Sequence, residues 1–122
     1  MKSILMKLFI IGLCVSFFPI QAIAGGFTGA VKIKELYQRQ CTEGRGFEII
    51  IGQGVNANPD GCETPEILEV RCNTRAYKSA VAISLTAFSG DYWVRAFVNG
   101  CDADGHAIVR ALQIQKTQQL EP

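Results

Sequence analysis

The chain has 122 residues, with 12 Lys plus Arg against 11 Asp plus Glu, one histidine and five cysteines. A formal net charge of +1 offers no basic excess to hold a phosphate backbone, which argues against nucleic-acid binding. The apolar run near the start is shorter than the roughly 20 residues a bilayer-crossing helix needs, and no later one is longer.

Residues 1–24 read as a secretory signal peptide. Lys2 and Lys7 precede an apolar run from Leu8 to Phe18, Pro19 breaks it, and Ala22-Ile23-Ala24 offers a small-residue cleavage site before Gly25. Cys14 follows Leu13 rather than a small residue, so no lipid anchor is expected. The expected mature chain starts at Gly25 and has 98 residues, one domain's worth; without Lys2 and Lys7 it carries ten basic and eleven acidic side chains. Its expected address is the periplasm or the extracellular medium.

In FTGAVKIKELY, residues 27–37, Val31 and Ile33 alternate with Lys32 and Lys34, the period of a half-buried strand. A turn at 42–46 leads into Phe47–Gly52, a β-branched run that suits a buried strand. Glycine, asparagine and Pro59-Asp60-Gly61 then mark a loop that ends near Pro65. A third strand is expected over Glu66–Cys72, with Leu68 and Val70 on one face and Glu69 and Arg71 on the other.

The period changes in residues 73–88, where Tyr77, Ala80, Val81, Leu85 and Phe88 recur at three and four. This predicts a helix capped by Asn73 or Thr74 and ended by Gly90. Its other face carries Ser79, Ala82 and Ser84, small enough to admit close approach by a second copy. A fourth strand is expected over Asp91–Asn99, with Val94, Ala96 and Val98 opposite Trp93, Arg95 and Phe97, and a fifth over His106–Gln115. The predicted order is β-β-β-α-β-β within a single domain at 25–116, followed by a loose polar tail at 117–122.

Four cysteines remain after the signal: Cys41, Cys62, Cys72 and Cys101. An even count in a small exported domain predicts two disulfides, and no C-x-x-C pair supports a structural zinc site. If the first three strands meander, Cys41 and Cys72 share one end of the sheet. Pairing Cys62 with Cys72, or Cys41 with Cys62, would span a strand of roughly 20 Å against a Cα separation of about 6 Å. The surviving connectivity is Cys41 with Cys72 and Cys62 with Cys101.

The stretch NGCDADGHAIV, residues 99–109, places Cys101, Asp102, Asp104 and His106 together. As a calcium loop it fails, because Gly105 and Gln113 stand where that motif puts other residues. A zinc set drawn from Cys101, His106 and an aspartate fails if Cys101 is oxidised, so no metal and no cofactor are expected. The stretch reads instead as an exposed hairpin turn, which suits Asp102, Asp104 and Gly105. Ser79, Ser84 and Ser89 lie in no nucleophile motif, and Glu63, Glu66 and Glu69 read as a solvated edge. No catalytic residues are assigned and no enzyme is expected. The candidate ligand-binding residues are the aromatics Tyr92, Trp93, Phe97 and Tyr37, with a core role for Trp93 and Phe97 as the competing reading.

Three strands, a helix and two more strands resemble the OB-fold, a five-stranded Greek-key barrel. More narrowly, NPDGC, EILEVRC, YKSAVAISLTAFSGDYWVRAFVNGC and HAIVRALQI look like a group of small exported bacterial proteins. That group is similar in layout to the B subunits of subtilase-cytotoxin-like toxins. The resemblance spans Phe27 to Ile114 and implies a small disulfide-stapled OB-like β-barrel, a Cys62–Cys101 bridge, glycan binding and a homo-oligomer. The expected function is a secreted, non-catalytic binding module for glycans. The alternative is a periplasmic or extracellular inhibitor or envelope protein that contacts another protein through loops 53–65 and 99–106.

Overall fold

The computed structural model describes residues 25–52 and 59–118. The expected signal peptide at 1–24 and the last four residues of the expected tail lie outside the described residues. Six strands and one helix follow in the order β1 (Gly26–Phe27), β2 (Val31–Thr42), β3 (Arg45–Ile51), β4 (Ile67–Arg71), α1 (Tyr77–Gly90), β5 (Trp93–Cys101) and β6 (Ala107–Gln115).

Alternating side chains build the core. Ile49, Ile51, Leu68, Val31, Val94 and Val98 are all but fully buried, and Phe47, Val70, Ala96, Ala107 and Val109 join them. The expected third strand keeps its place as β4, and the turn between the first two long strands is Glu43–Gly44. β2, β3 and β4 pair antiparallel in sequence, as a meander requires. Cys41 is accordingly bonded to Cys72, and Cys62 to Cys101.

The expected five-stranded OB-like barrel is corrected to a six-stranded mixed sheet with one helix. The strands pair in the order β1-β5-β2-β3-β4-β6, with a further β5–β6 pairing, and β4 runs parallel to β6. The cause lies at Thr28-Gly29-Ala30, where the first expected strand breaks in two. Buried Thr28 donates its N–H to the Ala96 carbonyl (2.8 Å), and its hydroxyl accepts the Ala96 N–H (3.0 Å). The short β1 thereby takes Val98 and Phe97 of β5 as partners. Only Val31↔Val94 and Lys32↔Trp93 are left to join β2 to β5. One strand thus serves three neighbours, which element order does not disclose.

The helix packs against β2, β4, β5 and β6, and of its expected stripe Tyr77, Ala80 and Val81 meet the core, while Leu85 and Phe88 do not. Ala80, Ser84 and Ala87 are buried, whereas Leu85 and Phe88 are half exposed. Small side chains let the helix lie close to the sheet, and the Ser84 hydroxyl donates to the Ala80 carbonyl at 2.7 Å, so its burial leaves no bare donor. The helix starts after Ala76 without a side-chain cap, and Thr74 instead donates to the Arg71 carbonyl. Gly90 is its last residue, and Asp91 beyond it takes the left-handed conformation at φ 53°.

Candidate polar site beneath the 99–106 turn

Glu48 stands between Phe47 and Ile49 on β3, and Glu69 between Leu68 and Val70 on β4. Since their neighbours point into the core, alternation sends both acids to the opposite face, where the strand register sets them side by side. Such a face usually meets water. Here Glu48 is 4% and Glu69 0% exposed, because other side chains and the turn between β5 and β6 enclose them.

That turn is shaped by Asp102. Its Oδ1 accepts the backbone N–H groups of Asp104 and His106, both at 2.9 Å, and the Asp102 N–H donates to the His106 carbonyl at 2.8 Å. Gly105 completes the bend at φ +79°, where a Cβ would also fall 2.8 Å from the Cβ of Glu63. Thr64 donates its N–H to the Gly105 carbonyl, and Asp60 accepts from the N–H groups of Gly25 and Gly100. With the Cys62–Cys101 bond, these contacts fix the turn against residues 59–65.

His106 is thereby brought over the two glutamates. Its Nδ1 lies 3.3 Å from Asp102 Oδ2 and 3.7 Å from Glu48 Oε1, with the geometry of a hydrogen bond to neither. One ligand atom each from Glu48, Glu69 and His106 falls within 4.8 Å of the others. Arg39 on β2 supplies its Nε to Glu48 Oε1 at 2.6 Å, and Arg45 on β3 pairs with Asp104. Glu69 Oε1 accepts the Gly46 N–H at 3.1 Å, whereas its Oε2 has no hydrogen-bond partner. Burial pushes the Glu69 carboxyl up to about 7, and the Gly46 bond opposes the rise while Glu48 and Asp102 reinforce it.

The turn residues are therefore corrected in part. Asp104 is exposed, as expected, but Asp102 keeps only 2% of its side chain in solvent and His106 is buried. Of the three acids read as a solvated edge, Glu63 is exposed, Glu66 half-buried and Glu69 fully buried. Cys101 belongs to a disulfide and takes no part in the cluster. Alternation identifies the polar face of a half-buried strand, but cannot tell whether water or a folded-back turn covers it.

The aromatic candidates divide. Tyr92 is half-buried against the core, and Tyr37 is 51% exposed on β2 beneath the guanidinium of Arg39. Trp93 and Phe97 lie half-buried on the outer face of β5, opposite the buried Val94, Ala96 and Val98. Phe27 of β1 meets Phe97 edge to face at 5.1 Å between ring centres. Arg95 sits 4.4 Å over the Phe27 ring, and Lys32 4.8 Å over Trp93.

No family model, curated protein or solved structure matches this chain. The resemblance to small exported bacterial proteins and to toxin B subunits is accordingly withdrawn, and the OB-fold and β-barrel descriptions, which rested on element order, give way to the mixed sheet described above. No helix among the described residues is long and apolar enough to cross a membrane.

Proposed function

We propose that the protein is an exported, non-catalytic binding module whose contact surface is the outer face of β5 with the adjoining β1 and β2. One observation carries this reading: Val94, Ala96 and Val98 already fill the core side of β5, so Trp93, Arg95 and Phe97 project outward beside Phe27 and Lys32. Aromatic rings held by a sheet present flat apolar faces to a ligand at little cost in side-chain entropy, and the neighbouring cations add hydrogen-bond donors. A glycan matches that mixture of flat apolar patches and hydroxyl acceptors. The non-catalytic part of the reading is supported by the lone imidazole, His106, which is buried under its turn.

Trp93 is the sole tryptophan of the chain, so its fluorescence reports directly on this face. A glycan array followed by fluorescence titration of the hits should give saturable changes. Trp93→Ala and Phe97→Ala should each weaken binding by about tenfold or more while both variants stay folded by circular dichroism at the assay temperature, a ring stack being worth roughly 1–3 kcal/mol by comparison with base stacking. Hits that bind both variants as well as the parent would move the site elsewhere.

A second reading, contact with another protein, is favoured by the rigid surface that the Cys62–Cys101 bond makes of residues 59–65 and 99–106. Substitutions at Glu63 and Ala103, both exposed, would abolish that contact and leave glycan binding intact.

A further inference from the structure

We propose that Glu48, Glu69 and His106 form a binding site for a single divalent transition-metal ion of the zinc class, held beneath the turn between β5 and β6. This inference is independent of the β5 surface. Two observations carry it together.

The first is the donor set. Two carboxylates and an imidazole converge from three separate elements, and their ligand atoms lie within 4.8 Å of one another. Bonds of about 2.0–2.2 Å to a tetrahedral ion place its ligand atoms roughly 3.3–3.6 Å apart, so a small side-chain adjustment draws the three onto one ion. Glu48 Oε1 and His106 Nδ1, at 3.7 Å, are nearly there already. Asp102, whose Oδ2 lies 3.3 Å from the same nitrogen, is positioned to complete a four-ligand set. An imidazole with carboxylates suits zinc and its first-row neighbours; calcium and magnesium prefer oxygen alone and more of it.

The second is the state of those atoms. Glu69 Oε2, Asp102 Oδ2 and His106 Nδ1 are buried without a hydrogen-bond partner. The side chains of His106 and Asp102 are 8% and 2% exposed, and Glu69 is 0% exposed. Orphaned buried polar atoms cost free energy, and these three are gathered in one place. The Asp102 turn and the Cys62–Cys101 bond hold His106 in place before any ion arrives, which lowers the ordering cost of binding.

The test uses the oxidised mature chain, untagged and stripped with chelator, titrated with Zn2+ alone. The expected result is one equivalent bound by calorimetry and by metal analysis after gel filtration, with a Zn2+-dependent rise in melting temperature. Glu69→Gln and His106→Gln should each weaken Zn2+ binding by about ten- to hundredfold or more, while the exposed control Glu35→Gln leaves it unchanged. Because a cluster variant can fail to fold, the unmodified protein is also followed by NMR, where Zn2+ should shift the ring nitrogens of His106. An unperturbed His106 at saturating Zn2+, or equal binding by the cluster variants and the parent, would overturn the site and leave an ion-pair network only.

Discussion

Glu69 shows how one side chain couples stability to pH. Its carboxyl titrates near 4.5 in the open chain and near 7 in the folded, metal-free protein. The folded state thus holds a proton that the unfolded state has released, and stability falls as pH rises between those values. Below about pH 4.5 the neutral acid fits its buried position; above about 7 a bare charge sits there with one oxygen unpartnered. Glu69→Gln removes the penalty. With chelator present, urea denaturation should show the variant gaining on the parent by about 3 kcal/mol between pH 4.5 and 8, each tenfold difference in proton affinity between the folded and open chains being worth about 1.4 kcal/mol. A constant difference across that range would mean that Glu69 titrates normally. Its neighbour Gly46 is fixed by space, since a Cβ there would lie 2.5 Å from the Cβ of Cys72. Gly46→Ala should cost about 1–3 kcal/mol by overpacking, measured in the same way. Both roles trace to the strand register, so neither glutamate stands out by composition or spacing, although acids amid FEIII and EILEV carry a faint signal.

Among the elements, the helix separates what periodicity reveals from what packing decides. A spacing of three and four from Tyr77 to Phe88 correctly announces a helix, but two overlapping stripes satisfy it. The stripe with the larger side chains is the more hydrophobic; the one with Ala80, Ser84 and Ala87 lets the helix settle against the sheet. Ser84→Leu should therefore cost about 1–3 kcal/mol, because an added isobutyl group has no room at a fully buried position. Leu85→Ala should change stability by less than about 1 kcal/mol, since half of that side chain is in water already. Thermal melts of the two variants check both, and the reverse ranking would place the buried stripe on the Leu85 face. The small-residue surface offered to a second copy loses Ser84 for the same reason. Ser79 and Ala82 remain exposed.

Over the whole molecule, three of the six strand pairings join distant parts of the chain. β1 pairs with β5, β2 with β5 and β4 with β6, and each must overcome loop closure before it gains contact energy. Refolding of the disulfide-intact protein should thus take milliseconds to seconds, as for other sheets of non-local topology; stopped-flow tryptophan fluorescence follows it. Microsecond refolding would show that local contacts dominate. The two disulfides divide the work of closure. Cys41–Cys72 secures the end of the meander, and Cys62–Cys101 ties together two loops 39 residues apart in sequence. Chain entropy assigns each bridge roughly 3.5–4 kcal/mol, a large share of a small domain's stability of about 5–15 kcal/mol.

Read alone, the sequence determines the five longer strands and the helix through their periods, the meander through its short turn, and from the meander the disulfide pairing, because an extended strand separates the wrong partners. Those are local or one-dimensional facts. Tertiary structure alone decides that a three-residue break gives β5 a third neighbour, that the helix buries its small side, and that the NGCDADGHAIV turn folds over Glu48 and Glu69 instead of standing in solvent. In each case the choice lies between surfaces of similar local character, and it is made by which surface a distant segment comes to cover.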